Sequence, residues 1–325
     1  MLREVGKIKA VVIHEPGGPD KLVYEEVPTP TIKPGWSLVK IKGFGINHSE
    51  IFTRKGLSPS VKFPRVLGIE CVGVIAETTD PKRLPVGQKV ISIMGEMGRE
   101  FDGSYAEYAL LPNKQIYPIN TTLDWASLAA VPETYYTAFG SLLNLRIKPS
   151  DSILVRGGTS GVGIAFLKLV KAQYPKIKVA GTSRNLNKAQ AMKKVGYDDV
   201  IVDDSGELQT SQKFDKILEL IGPKTVKDSF KHTNEGGIVC STGELGNEWY
   251  LNHFDPIMDI APNGYLTSFY SDNVDQNRID EMLTYIEKYH VDVKPEKIFD
   301  LAHVADAHRY LEGQNSFGKV VVVEE

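Results

Sequence analysis

The chain has 325 residues, 42% of them apolar and 24% charged, and a formal net charge of −3. That length holds about two domains of roughly 100–200 residues, and so balanced a charge gives no electrostatic reason to expect nucleic acid or an anionic membrane as partner. No apolar run approaches the roughly 18–20 residues of a membrane span. The opening MLREVGKIKAVVIHEPG turns polar too soon for a secretory signal, so a cytoplasmic location is the default expectation. Cys71 and Cys240 are the only cysteines. They are too few for a disulfide framework or a four-cysteine zinc site; two reduced, buried thiols are the simpler reading, with a pairing between them as the alternative.

Residues 1 to about 120 read as β-rich. Ala10–His14, Ser37–Phe44, Val72–Glu77 and Lys89–Met94 are short strand-like runs. Pro28, Pro30, Pro34, Gly35, Pro81, Pro85 and Gly87 punctuate them as turns. Such crowding favours a compact barrel-like domain, with one helix expected from Asn47 to about Arg54. From about Thr121 the texture changes. A helix is expected over Leu123–Val131, closed by Pro132, and another over Thr137–Leu145. Strand-like and helix-like segments then alternate: Ile153–Val155, a helix to Lys171, Lys178–Thr182, a helix over Asn187–Val195, Asp199–Val202, Lys216–Leu220, a helix over Thr225–His232, and Gly237–Ser241. This alternation is the pattern of a doubly wound parallel sheet, so the fold class is α/β. Helices over Val274–Tyr289 and Val304–Glu312 and a strand over Lys319–Val323 complete the reading.

The stretch ILVRGGTSGVGIAFLKLVK, from Ile153 to Lys171, is a strand, a glycine-rich turn and a helix. Glycines let backbone approach a pyrophosphate, and a helix N-terminus supplies N–H groups and partial positive charge. The spacing Gly158-x-Ser160-Gly161-x-Gly163 departs from G-x-G-x-x-G at its second glycine, and the same pattern also suits a ligand-free turn. The surrounding alternation favours the dinucleotide. Gly158, Ser160, Gly161 and Val162 are the expected phosphate cradle. An NAD site usually ends its second strand in an acid that grips the ribose 2′-hydroxyl. Here Ser183 and Arg184 follow instead, with Lys188 nearby. A hydroxyl and cations suit a 2′-phosphate, which points to NADP(H), unless the two cations merely cover the next helix.

Several segments in order resemble the zinc-independent quinone oxidoreductase branch of the medium-chain dehydrogenase/reductase superfamily. They are Gly45-Ile46-Asn47 with Arg54-x-Gly56, Pro64-Arg65-Val66-Leu67-Gly68-Ile69-Glu70 with Gly73, Pro85-Val86-Gly87-Gln88-Lys89-Val90, Gly103-Ser104-Tyr105-Ala106-Glu107-Tyr108, Thr137-Ala138, the glycine turn, and Gly318-Lys319-Val320-Val321. The resemblance implies a GroES-like catalytic domain from residues 1–121 and 266–325, with a Rossmann NADPH-binding domain over 122–265 between them. It also implies a homodimer formed edge to edge through the Rossmann sheet. Metal-dependent relatives carry Cys where this chain has Asn47 and His where it has Ile69. Isoleucine cannot ligate zinc, and amide is a poor substitute for thiolate, so no metal is expected. Glu50 stands where the family often has Asp, keeping the charge with a longer reach.

The implied activity is hydride transfer from NADPH to a small electrophilic acceptor, a quinone or an α,β-unsaturated carbonyl. Asn47 is the expected catalytic and cofactor-contacting residue; it either donates to a substrate oxygen, holds the nicotinamide ribose, or simply caps the helix before His48. Thr137 faces the nicotinamide or caps its helix. Thr242 and Phe269 are expected near the nicotinamide half, with core packing as the alternative for Phe269. Lys319 either reaches the cofactor from the tail or lies exposed. Glu70 reads as structural, tied to Arg54 or to backbone. Tyr135 and Tyr136 are core, or supply a donor. Two other functions stay open: an enoyl-thioester reductase, and a non-catalytic NADPH-binding redox sensor.

Overall fold

The computed structural model describes residues 6–313 and 316–324. The chain divides into two compact units. One contains Met1–Glu133, Asp272–Leu283 and Val293–Glu325; the other contains Thr134–Ser271 and Thr284–Asp292.

The first unit is built on two sheets. A small antiparallel sheet pairs Lys7–Ile13 with Leu22–Pro28 on one side and with Arg65–Val66 on the other. The larger sheet runs in the order Lys297–Phe299, Val320–Val323, Trp36–Gly45, Glu70–Glu77, Lys89–Ile93, Tyr117–Pro118, and Tyr108–Pro112 also pairs with Trp36–Gly45. Trp36–Gly45 has ten residues, enough to serve several partners. Its first half pairs with Tyr108–Pro112, while its last three residues pair with the returning tail, Val321 opposite Gly45. A core of alternating branched residues, among them Val39, Ile41, Ile75, Val90 and Val320, is fully buried beneath these strands. Leu22–Pro28 is a strand that sequence periodicity did not announce. Its LVYEEVP pattern exposes most of its residues, as suits an edge.

The second unit is a seven-stranded sheet in the order Glu207–Leu208, Asp199–Asp204, Lys178–Ser183, Ser152–Arg156, Phe214–Glu219, Thr233–Ser241, Tyr265–Ser268. All pairings are parallel except that of Glu207–Leu208. Counting only parallel strands, the order is 3-2-1-4-5-6, that of a doubly wound dinucleotide fold, and it reverses between Ser152–Arg156 and Phe214–Glu219. The short terminal strand Tyr265–Ser268 was not anticipated, because YLTS lacks a buried apolar run.

The expected helix break at Pro132 needs correction. A short helix, Trp125–Ala129, is capped by Asp124, and Pro132 is the first residue of the next helix, Pro132–Leu145. Proline is well suited to that position, where its missing N–H would have had no helical partner anyway.

Candidate functional site

In the second unit the glycine turn follows the first parallel strand, at the reversal of strand order. This is where doubly wound sheets place ligands. Gly157 has φ +91°, a conformation that favours glycine. The turn is held on three sides. Thr182 accepts the Gly158 N–H on its carbonyl and the Gly157 N–H on its hydroxyl, at 3.2 and 3.0 Å. Ser160 occupies the N-cap of helix Gly161–Gln173; its hydroxyl accepts from Gly163 N at 3.1 Å and donates to Gly157 O at 2.8 Å. The buried Tyr197 hydroxyl lies within hydrogen-bonding distance of Gly158 O and Gly163 O, at 2.9 and 3.2 Å. Serine at the second glycine position is therefore a helix cap. Gly158 acts through its missing side chain, because a Cβ there would meet Met192 Cε at 2.9 Å. The N–H groups of Gly161 and Val162 are at the first two helical positions, where no intrahelical acceptor exists. They and the helix dipole fit a pyrophosphate.

The second parallel strand ends at Ser183, which is half-buried, and Arg184 follows it exposed. Lys188 lies one short turn further on, at the N-cap of helix Ala189–Val195. Partial burial and the adjacent Arg184 charge both lower the Lys188 ammonium's affinity for its proton. Two cations thus stand together where an NAD site has a carboxylate.

Thr137, Thr242 and Phe269 are brought to one helix. Thr137 is the sixth residue of Pro132–Leu145, so the helix-cap alternative does not hold. Ser141, one turn on and fully buried, donates to Thr137 O at 2.8 Å and shares a hydrogen bond with the Thr242 hydroxyl at 3.0 Å. Phe269 packs over Gly140, where a Cβ would lie 2.0 Å from its ring, and against Tyr136 at 5.8 Å between centroids. Thr242 and Phe269 each come directly after the carboxyl end of a parallel strand. Tyr135 is buried and its hydroxyl donates to Asp292 O at 3.3 Å.

In the first unit Asn47, Glu70 and Lys319 converge. Strand register causes this. Gly45 pairs with Val321 on one side and lies two residues beyond the Gly43–Val72 pair on the other. The residue before Val320 and the first residue of Glu70–Glu77 are thereby drawn to the same end of the sheet. Lys319 Nζ donates to Asn47 Oδ1 at 2.6 Å and to Glu70 Oε1 at 2.7 Å. Asn47 Nδ2 donates to the same Glu70 oxygen at 2.8 Å and faces Glu50 Oε1 at 3.4 Å. The other Glu70 oxygen accepts from Glu133 N at 2.7 Å.

Four readings are sharpened or corrected here. Asn47 stands at the N-cap of helix His48–Arg54, yet its side chain makes no capping bond. Lys319 is only 8% exposed, so the surface-lysine alternative fails. Glu70 is tied to backbone, but not to Arg54, which instead binds Gly17 O, His308 and Glu312. Glu50 does not simply keep a negative charge. Burial and the neighbouring Glu70 raise its carboxyl pKa to about 8, and its Oε2 has no hydrogen-bond partner among the described residues.

Sequence reasoning missed Arg156, the last residue of the first parallel strand. It is fully buried beside the glycine turn and binds Asp203 through two bonds of 2.7 and 3.0 Å, and Asp228 at 3.0 Å. Glu219, also fully buried, lies 3.9 Å away and accepts from Ile221 N and Gly222 N. An arginine ending an apolar strand was the signal available. Among the described residues no group of three or more His, Cys, Asp and Glu side chains could hold a metal ion, and no helix is long and apolar enough to cross a membrane.

Two family models match the chain: the alcohol dehydrogenase GroES-like domain over residues 33–121, and zinc-binding dehydrogenase over residues 195–322. The NADPH-dependent alkenal/one oxidoreductase of Arabidopsis thaliana, a chloroplastic protein, is 28% identical, covering 97% of this chain and 79% of its own length. The quinone oxidoreductase of Homo sapiens is 29% identical over 74% of each chain. Among solved structures, an oxidoreductase of Salmonella enterica in complex with NADP superposes with a TM-score of 0.83 over 98% of this chain and 100% of that one. At 19% identity that likeness shows the shared fold.

Proposed function

Because this chain belongs to the medium-chain dehydrogenase/reductase superfamily, in its quinone oxidoreductase branch, we propose that this oxidoreductase uses NADPH to reduce a quinone or an α,β-unsaturated carbonyl without zinc. The observation that carries the cofactor choice is the end of the second parallel strand, where Ser183, Arg184 and Lys188 replace a carboxylate. Relatives named for NADPH-dependent alkenal/one and quinone reduction support the acceptor class. We assign the Rossmann NADPH-binding domain to the segment 122–265 and the GroES-like catalytic domain to the flanking segments 1–121 and 266–325.

NADPH, when bound, supplies a hydride, and the protein supplies position and electrostatics. Gly161 and Val162 N–H groups hold the pyrophosphate, with Gly158 and Ser160 shaping the turn beneath it. Ser183, Arg184 and Lys188 hold the 2′-phosphate by charge-assisted hydrogen bonds. Thr137, Thr242 and Phe269 serve the nicotinamide half, and Lys319 acts through Asn47, whose amide oxygen it holds. An enone that receives a hydride gathers negative charge on its oxygen, which an N–H donor stabilises. Asn47 is assigned that donor role. A quinone needs less help, because its ring spreads the charge.

The donor set does not fit a catalytic zinc. Position 69 is isoleucine, and the position 47 amide is already engaged by Lys319 and Glu70. Polarising an alcohol or a simple carbonyl is what zinc would do here, so alcohol oxidation is disfavoured. We also propose a homodimer through the outer edge of Tyr265–Ser268, which pairs on one side with Thr233–Ser241 and exposes Tyr265 and Leu266.

Stopped-flow NADPH oxidation against a panel of quinones, enones and enoyl-CoA esters tests the reading, alongside metal analysis of the pure protein. Turnover of quinones or enones without stoichiometric zinc is expected. Tight NADPH binding with no turnover on any acceptor would instead support a sensor, and a preference for enoyl-CoA would support the thioester reductase.

A further inference from the structure

The two ends of an asparagine side chain are nearly identical in shape, so which end faces which neighbour is decided by hydrogen bonding. At Asn47 the neighbours leave one choice. An ammonium only donates and an ionised carboxylate only accepts. Lys319 Nζ lies 2.6 Å from one end of the amide and Glu70 Oε1 lies 2.8 Å from the other. Turning the amide over would set NH₂ against NH₃⁺ and C=O against carboxylate, two repulsive contacts in a place where little water screens them. The side chains of Lys319 and Glu70 are 7% and 0% exposed. Glu70 is itself held by Glu133 N at 2.7 Å. Gly45 keeps the space open, because a Cβ there would fall 2.2 Å from Lys319 Cε and 2.3 Å from Glu70 Oε1.

We propose that Lys319 and Glu70 are positioning residues whose ion pair locks the orientation of the Asn47 amide and so aims its second N–H. This inference rests on the role assigned to Asn47 above. The first N–H is spent on Glu70. Among the described residues the second meets only Glu50 Oε1 at 3.4 Å, too long for a strong bond. It is therefore the hydrogen that an acceptor oxygen can compete for. Lys319 acts at one remove, by holding Oδ1, and touches no reacting atom in this scheme.

The lock can be observed without turnover. In protein labelled with ¹⁵N-asparagine, the Asn47 side-chain signals are assigned by their loss in Asn47→Ala. They are expected as two well-separated, slowly exchanging protons. Lys319→Met should collapse or broaden them, and Lys319→Arg, which keeps a cationic donor, should restore them. Unchanged signals in Lys319→Met would overturn the lock. In steady-state kinetics Lys319→Met should lower kcat about tenfold or more while KM for NADPH stays within about twofold. Combined with Asn47→Ala it should add nothing further, since residues acting through one group are not additive. A raised KM for NADPH at preserved kcat would make Lys319 a direct cofactor contact and overturn the positioning role. Lost amide signals with unchanged turnover would leave the lock standing and remove Asn47 from the chemistry.

Discussion

Glu50 is 1% exposed and sits beside Glu70, so its carboxyl holds a proton up to about pH 8 rather than releasing it in the usual carboxylate range. In the unfolded chain the same group releases its proton far lower. Its contribution to stability is thus complete below the unfolded value and falls as pH rises toward 8, because the folded state binds the extra proton. Glu50→Gln keeps the shape and removes the titration. Thermal melts should show the variant more stable than the parent by several degrees near pH 8–9, with the two converging toward pH 5. Equal pH profiles would contradict a buried neutral carboxyl. Arg184 gives the second prediction at this scale. Arg184→Ala should weaken NADPH about tenfold or more and NADH little, since only NADPH carries the 2′-phosphate. Equal losses in fluorescence titrations would remove the phosphate role. The cationic strand end was legible in the sequence, because strand ends and charges are local. The state of Glu50 was not, since it depends on Glu70 and Lys319, and Lys319 is paired with a partner 272 positions away.

Among elements, Arg156 binds three together. It ends the first parallel strand, Asp203 lies in the third, and Asp228 sits on helix Pro223–Lys231. Removing a buried cation leaves its carboxylates uncompensated, a loss of about 3–5 kcal/mol. Arg156→Met should show a loss of that order in urea unfolding, whereas Lys178→Met, whose ion pair is largely exposed, should cost under about 1 kcal/mol. Parity between the two would mean that the network does not support the strand ends. Element existence was well legible where apolar runs are long, as in Ser152–Arg156 and its helix. Boundaries were less so. Pro132 read as a stop, though proline serves as well at a helix start, and Tyr265–Ser268 was hidden because three exposed residues and one half-buried one carry no period.

At the scale of the molecule, the alternation after Thr121 predicted a doubly wound sheet, and the 3-2-1-4-5-6 order bears that out. The return of the tail to pair with Trp36–Gly45 could be expected only from resemblance, because no local pattern encodes a partner far along the chain. The proposed dimer belongs here too. Sedimentation should give a dimer, and replacing Tyr265 and Leu266 with lysine should yield a monomer that still binds NADPH. A parent protein that sediments as a monomer at micromolar concentration would sink the proposal. An exposed strand edge is otherwise a liability for uncontrolled pairing.

The three ties on the glycine turn bear on how ligand binding is driven. Thr182, Ser160 and Tyr197 already fix Gly157, Gly158 and Gly163 through hydrogen bonds that need no nucleotide. Such a turn is preorganised: docking a phosphate spends little conformational entropy there, and the affinity is not discounted by an ordering step. Backbone amides of Gly157, Gly158 and Gly163 should therefore exchange with deuterium slowly before cofactor is added and slow only slightly further once it is bound, whereas those of Gly161 and Val162, which have no intrahelical acceptor, should slow markedly on binding.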